Sequence, residues 1–191
     1  PSKKHYPNGD RGQSSVEYSD AEPAYKYIDK QAKETNQLLT PDELKGLAEN
    51  IQGYDISPDM VKLALVNMYL HKFKEPKIYE YDTLTKLDRW DNYFDCILAN
   101  PPFGASVSDG VETNYPAQFR TTESADLFLL LMIRYLRDGG RAAIVLPDGS
   151  LTGDGVKQRI RQEFLEQCNV HTIVRLPNSV FQPYASVATN L

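Results

Sequence analysis

The stretch DCILANPPFGAS, residues 95–106, sets Asn100, Pro101, Pro102 and Phe103 directly after an apolar run. Each proline holds its own φ at about -65° and lacks a backbone N–H. Each also drives the residue before it toward extended backbone, so Asn100 and Pro101 are expected to be stiff. The Asn100 side-chain oxygen and the Pro101 carbonyl then form a fixed pair of acceptors. Such a pair suits a planar amino group with two N–H bonds, while Phe103 stacks on the ring that carries it. The plainer alternative is a rigid strand-ending turn with Phe103 buried.

An exocyclic amine such as that of adenine is a poor nucleophile, because its lone pair is delocalised into the ring. Two acceptors raise electron density on the nitrogen and favour the pyramidal geometry needed for attack. That is electrostatic preorganisation combined with positioning of two bound reactants. A base in duplex DNA reaches such a site only when flipped out of the stack.

The elements that must carry these residues follow from periodicity. Residues 1–21 are polar, contain Gly and Pro, and read as an arm or the remnant of a longer segment. A helical pattern runs from Glu22, with Tyr25, Ile28 and Ala32 on one face, to about Asn36. TPDELKGLAEN is a second, short helix with Thr40 as its cap and Pro41 at its first position. Then strands and helices alternate. IQGYDI, KIYEYDTL, FDCILAN, RAAIVLP and VHTIVRLP read as strands, and SVATNL as the start of another. SPDMVKLALVNMYLHKF, SADLFLLLMIRYLRD (closed by Gly139-Gly140) and GVKQRIRQEFLEQC read as helices. This order predicts an α/β fold with a mostly parallel sheet.

With 191 residues, 41% hydrophobic and 25% charged, the chain can build one globular domain. Its longest apolar run, Leu127–Ile133, falls far short of the about 20 residues that span a bilayer. No signal segment opens it, so a cytoplasmic protein away from membranes is expected. Cys96 and Cys168 lack metal or CxxC spacing and are expected to be free, buried thiols. His5, His71 and His171 share no motif, and no metal site is expected. A net charge of -5 means that DNA binding would need a local basic face or a partner subunit.

In parallel α/β sheets ligands bind beyond the carboxyl ends of the strands. Asp55 ends the GYDI strand, where a carboxylate can accept hydrogen bonds from both hydroxyls of a ribose, and Ile56 could lie on an adenine face. Asp55 could instead cap the next helix, a role that Ser57 already offers. GSLTGDG lacks the P-loop and dinucleotide patterns and reads as a flexible loop with a helix start. Residues 105–125 form a long polar loop, either solvated or a lid that orders over DNA with Arg120 on phosphate.

NPPF after a strand resembles the signature of amino-group methyltransferases that use S-adenosylmethionine. With GYDISPDMVKLALVNMYLH, YDTL, GGRAAIVLPDGSL and VRLPNSVFQPYASVATNL, the stretch around it resembles the modification subunit of type I restriction–modification enzymes, over about residues 22–191. The resemblance implies a Rossmann-like S-adenosylmethionine-dependent methyltransferase sheet over 22–191, and methyl transfer to adenine N6 in DNA. It implies Asn100, Pro101, Pro102 and Phe103 as catalytic, and Asp55, Ile56, Asp82 and Thr83 as cofactor-binding. Asp82 would accept from the cofactor's adenine amine, unless it only starts a turn. Phe181, with Tyr184 a weaker candidate, would face the flipped base opposite Phe103. A specificity subunit that reads DNA and a restriction subunit are the implied partners.

The family's first strand and the glycine-rich segment behind it have no match in residues 1–21. The expectation is therefore an incomplete sheet, from a chain that is a fragment or joins separated segments, rather than a relative that has lost its cofactor. A non-catalytic DNA-binding or scaffold subunit, and a glutamine or ribosomal RNA amino-group methyltransferase, are the alternatives.

Overall fold

The computed structural model describes residues 21–85, 92–182 and 186–191. The expected polar arm, with His5, and the candidate Tyr184 lie outside the described residues. The chain divides into two compact units, one ending at Asp82 and the other beginning at Thr83.

The first unit holds helices α1 (Ala21–Glu34) and α2 (Pro41–Asn50), strand β1 (Gln52–Asp55), helix α3 (Pro58–Leu70) and strand β2 (Lys77–Glu80). Helix α2 starts at a reciprocal cap. The Thr40 hydroxyl accepts from the Glu43 N–H at 3.3 Å, and the Glu43 carboxylate accepts from the Thr40 N–H at 2.8 Å. The Thr40 N–H and, at 2.9 Å, the Thr40 hydroxyl both donate to the Glu43 carboxylate and hold it below its ordinary pKa. Helix α3 is capped by Ser57, whose hydroxyl accepts from the Met60 N–H, and has Pro58 at its start. It buries Val61, Ala64 and Met68, spaced to share one face, with Phe73 and Ile78. Tyr25 of α1 closes this core edge to face on Phe73, centroids 5.0 Å apart. Strands β1 and β2 pair in parallel, Asp55 opposite Glu80, so the carboxyl ends of both strands lie side by side.

In the second unit strand β3 (Phe94–Ala99) is followed by helix α4 (Ser124–Tyr135), strands β4 (Leu136–Ile144) and β5 (Leu146–Pro147), helices α5 (Asp148–Thr152) and α6 (Val156–Gln167), and strand β6 (Thr189–Asn190). Strands β3 and β4 are parallel, with Ala99 opposite Ile144. Strand β6 runs antiparallel to β5. Beyond it, Val174 exchanges two backbone hydrogen bonds with Leu191, and the Leu176 N–H donates to the Thr189 carbonyl. VHTIVRLP, expected as a strand, thus contributes this short antiparallel edge, with Arg175 bridged to Asn190. The core gathers Phe119, Ala125, Leu129, Leu146 and Ile160.

Two expectations change here. The apolar helix stops at Tyr135, short of Gly139-Gly140, because the backbone entering β3 takes its last carbonyls. Asn92 and Tyr93 N–H donate to the carbonyls of Arg134 and Tyr135 at 3.0 and 2.9 Å. Cys96 is exposed and Cys168 half-buried rather than both buried, though both thiols are free. Along β3 the side chains alternate, so the buried Ile97 and Ala99 leave Cys96 on the opposite face.

Candidate active site

Strand β3 delivers the tetrapeptide to the carboxyl edge of its sheet. The Ala99 carbonyl, the last of the strand, accepts from the Val145 N–H at 3.0 Å, and Asn100 follows. Pro101 is fully buried, Pro102 is exposed, and Asn100 and Phe103 are half-buried. The Asn100 residue is tied into its surroundings, and its Oδ1 atom is buried with no hydrogen bond of its own. The chain then turns at Gly104, whose φ of +67° belongs to the left-handed region that glycine occupies without strain.

Helix α4 clamps this turn. The Ser124 hydroxyl donates to the Pro102 carbonyl at 3.0 Å, and the Ser124 N–H donates to the Ala105 carbonyl at 3.1 Å. Val107 N–H to the Thr122 carbonyl, with a bridge between Ser106 and Glu123, extends the clamp along the loop. No local pattern in the sequence marks Ser124. It reads there as one of several polar residues at a helix start, and only the fold brings it to Pro102.

The second aromatic arrives from the far end of the chain. Phe181 follows Pro177 through two tight turns, Val180 N–H to the Pro177 carbonyl and Gln182 N–H to the Ser179 carbonyl. Its ring meets Phe103 edge to face, with centroids 5.0 Å apart and planes at 72°. The two rings thus touch edge to face rather than standing parallel and apart as the expected sandwich requires. A base between the two rings would need roughly twice a van der Waals ring spacing of about 3.5 Å, so the rings must part to admit one.

The loop between β3 and α4 is not merely solvated. Val111, Tyr115 and Phe119 are buried, and Phe119 belongs to the core under α4 and α6. Arg120 donates its Nε–H to the Tyr115 carbonyl at 3.2 Å, and Arg159 of α6 donates to the Gln118 carbonyl at 2.8 Å. Apolar anchors every few residues, hidden within a polar composition, hold the segment down. GSLTGDG likewise begins as helix α5, with Ser150 buried, before Gly155 turns the chain at φ +68° into α6. Ser150 donates to Asp126 of α4 at 2.6 Å, and Lys157 of α6 donates to Asp126 and Glu123 at 2.7 Å each.

The cofactor candidates Asp55, Ile56 and Asp82 fall in the first unit, and Thr83 opens the second. Asp55 is half-buried at the end of β1, and Asp82 lies just beyond the end of β2, its neighbour. The Asp55 carboxylate accepts from the Ser57 N–H at 2.7 Å, so it also supports the start of α3. Burial pushes its pKa up, against the lowering effect of that hydrogen bond. Ile56 stands 67% exposed beside it, an apolar face open to a ligand. A half-buried carboxylate next to an open apolar side chain fits a ribose and the flat base attached to it. Thr83 is buried.

The family model described as N-6 DNA Methylase matches residues 26–191. The chain belongs to the N-6 DNA methylase family. It is 48% identical over 158 residues to the methylase subunit of the EcoEI type I restriction enzyme of Escherichia coli, covering 82% of this chain and 32% of that protein. A crystal structure assigned as the modification subunit of a type I restriction enzyme from Vibrio vulnificus superposes with a TM-score of 0.75 at 31% identity, over 95% of this chain and 44% of the other. At 17% identity a protein of Listeria monocytogenes, assigned as a class I S-adenosylmethionine-dependent methyltransferase, shares the fold alone, with a TM-score of 0.64 over 90% of this chain and 49% of the other. The fold is thus that of an S-adenosylmethionine-dependent methyltransferase. The chain spans about a third of the length of the curated relatives it matches. Among the described residues no helix is long and apolar enough to cross a membrane.

Proposed function

We propose that the protein methylates adenine N6 in DNA, as the modification subunit of a cytoplasmic type I restriction–modification complex. The observation that carries this reading is the placement of Asn100, Pro101, Pro102 and Phe103 at the end of β3, with Phe181 brought against Phe103 from the far end of the chain. Membership of the N-6 DNA methylase family and likeness to methylase and modification subunits support it. A specificity subunit would read the DNA sequence and a restriction subunit would cut, which suits a chain of net charge -5.

In this reading Phe103 and Phe181 part and take the flipped adenine between them. The Asn100 side-chain oxygen and the Pro101 carbonyl accept the two N–H bonds of its amine and pyramidalise the nitrogen. S-adenosylmethionine, when bound, supplies a methyl group on a cationic sulfur that leaves as a neutral thioether. The nitrogen held by Asn100 and Pro101 would take that methyl through its lone pair, and the displaced amine proton would pass to water. Asp55 and Ile56 would hold the ribose and adenine of the cofactor and Asp82 its adenine amine, with Thr83 a further cofactor-binding residue.

The test is Asn100→Ala in the full-length protein assembled with its DNA-reading subunit. Loss of the side-chain acceptor at the reacting nitrogen is expected to cut methyl transfer by about 100-fold or more. Cofactor affinity by calorimetry should stay near wild type. Unchanged N6-methyladenine yield in nucleoside analysis would remove the catalytic role from Asn100.

A further inference from the structure

We propose that Asp148 is a positioning residue for base capture, holding the strand edge from which the Phe181 loop departs. The inference rests on the role proposed above for Phe181 and adds a residue to it. Asp148 stands at the start of α5, directly after β5. Its Oδ1 atom accepts from the Nδ2 of Asn190 at 2.6 Å and from the guanidinium of Arg175. Its N–H donates to the Ala188 carbonyl at 2.9 Å. One side chain thereby joins the end of β5 to β6 and to the edge segment beyond it.

That edge segment leads straight to the ring. Arg175 is followed by Leu176, whose N–H donates to the Thr189 carbonyl, and by Pro177, where the two turns to Phe181 begin. With Arg175 fixed, the stiff Pro177 and the two turns leave the Phe181 ring little freedom except against Phe103. Hydrogen bonds donated by Arg175 and Asn190 lower the Asp148 carboxyl from its ordinary pKa.

The ion pair adds little to stability, because both side chains are about half exposed, at 51% and 41%. Its geometry is what matters. Charge-assisted bonds from two strands to one oxygen set direction more tightly than they add free energy, and a small misplacement of a positioning group is felt in function.

The experiment compares wild type, Asp148→Ala, Asp148→Asn, Phe181→Ala and the double variant Asp148→Ala/Phe181→Ala. Each is used as full-length protein in the assembled complex, with methylation kinetics on unsubstituted duplex DNA and fluorescence on the same duplex with 2-aminopurine in place of the target adenine. The fluorescence rise of the unstacked base reports capture. Asp148→Ala is expected to raise the KM for DNA about tenfold and to lower the fluorescence rise in proportion, as for loss of a charge-assisted contact. Asp148→Asn, which keeps an acceptor oxygen, should recover part of both. In the Phe181→Ala background, loss of Asp148 should add less than about twofold, since both act through one ring. S-adenosylmethionine affinity should not move.

An unchanged fluorescence rise in Asp148→Ala, or a loss that multiplies in full with that of Phe181→Ala, overturns the proposal. If Asp148→Ala melts below the assay temperature, Asp148→Asn, alone and combined with Phe181→Ala, is judged by the same two criteria. A wild-type fluorescence rise in Phe181→Ala is a separate outcome: it removes the stacking role of Phe181 itself, and the proposal with it.

Discussion

The Ser124 hydroxyl donates to the Pro102 carbonyl at 3.0 Å, which ties the first turn of α4 to the turn that carries Asn100. Neither proline of that turn has an N–H, so few local bonds are available to hold it. The clamp comes from a helix more than a loop's length away, and the same helix passes its anchorage on through Asp126 to α5 and α6.

Ser124→Ala removes that clamp without changing the helix it starts. The Pro101–Pro102 backbone should become less fixed, and kcat should fall by about five- to tenfold, the worth of one hydrogen bond of about 1 kcal/mol. KM for DNA should change little. Steady-state methylation with radiolabelled cofactor separates the two, and Ser124→Thr should restore much of the rate.

Asp55 opposes stability and function. Burial raises its pKa in the folded chain, so its contribution to stability is complete only below the unfolded value, about 3.9. That contribution is lost as pH rises through the raised folded value, and at neutral pH the ionised carboxylate weakens the fold. Asp55→Asn, which can still accept from Ser57, should therefore melt at or above the wild-type temperature at pH 7. It should also bind S-adenosylmethionine about 10- to 100-fold more weakly, having lost a charged acceptor for the ribose. Thermal melts and calorimetry on one sample check both halves.

Lys157 neutralises Asp126, whose side chain is only 2% exposed. Burial pulls the lysine pKa down, but bonds to Asp126 and Glu123 outweigh that and leave it raised. A raised lysine stabilises fully below its unfolded value, about 10.4, and loses that contribution as pH climbs through the folded one. Lys157→Met should cost about 3 kcal/mol at pH 7 by leaving a buried carboxylate without its cation. Urea unfolding should show the gap between variant and wild type beginning to narrow only above the unfolded lysine value of about 10.4, and closing once pH passes the raised folded value.

The sequence by itself determined the local elements and the chemistry of their ends. The Thr40 and Ser57 caps, the prolines at Pro41 and Pro58, and the short apolar runs of β1, β2 and β3 are decided by contacts within a few residues. The stiffness of Asn100-Pro101-Pro102 is equally local, because proline acts on its own φ and on its predecessor. The acidic ends of β1 and β2 could be read for the same reason.

Tertiary structure decided what depends on partners distant in the chain. Helix α4 ends at Tyr135 because the backbone before β3 takes its carbonyls, which no helix propensity in SADLFLLLMIRYLRD announces. The loop 105–123 is held by Phe119 in a core built from α4 and α6, although its composition reads as solvated. Ser124 reaches Pro102, Asp148 gathers Arg175 and Asn190, and Phe181 closes on Phe103 only because strand pairing sets those segments side by side. Local sequence fixes which groups stand ready, while long-range packing and ladder hydrogen bonds fix which of them meet.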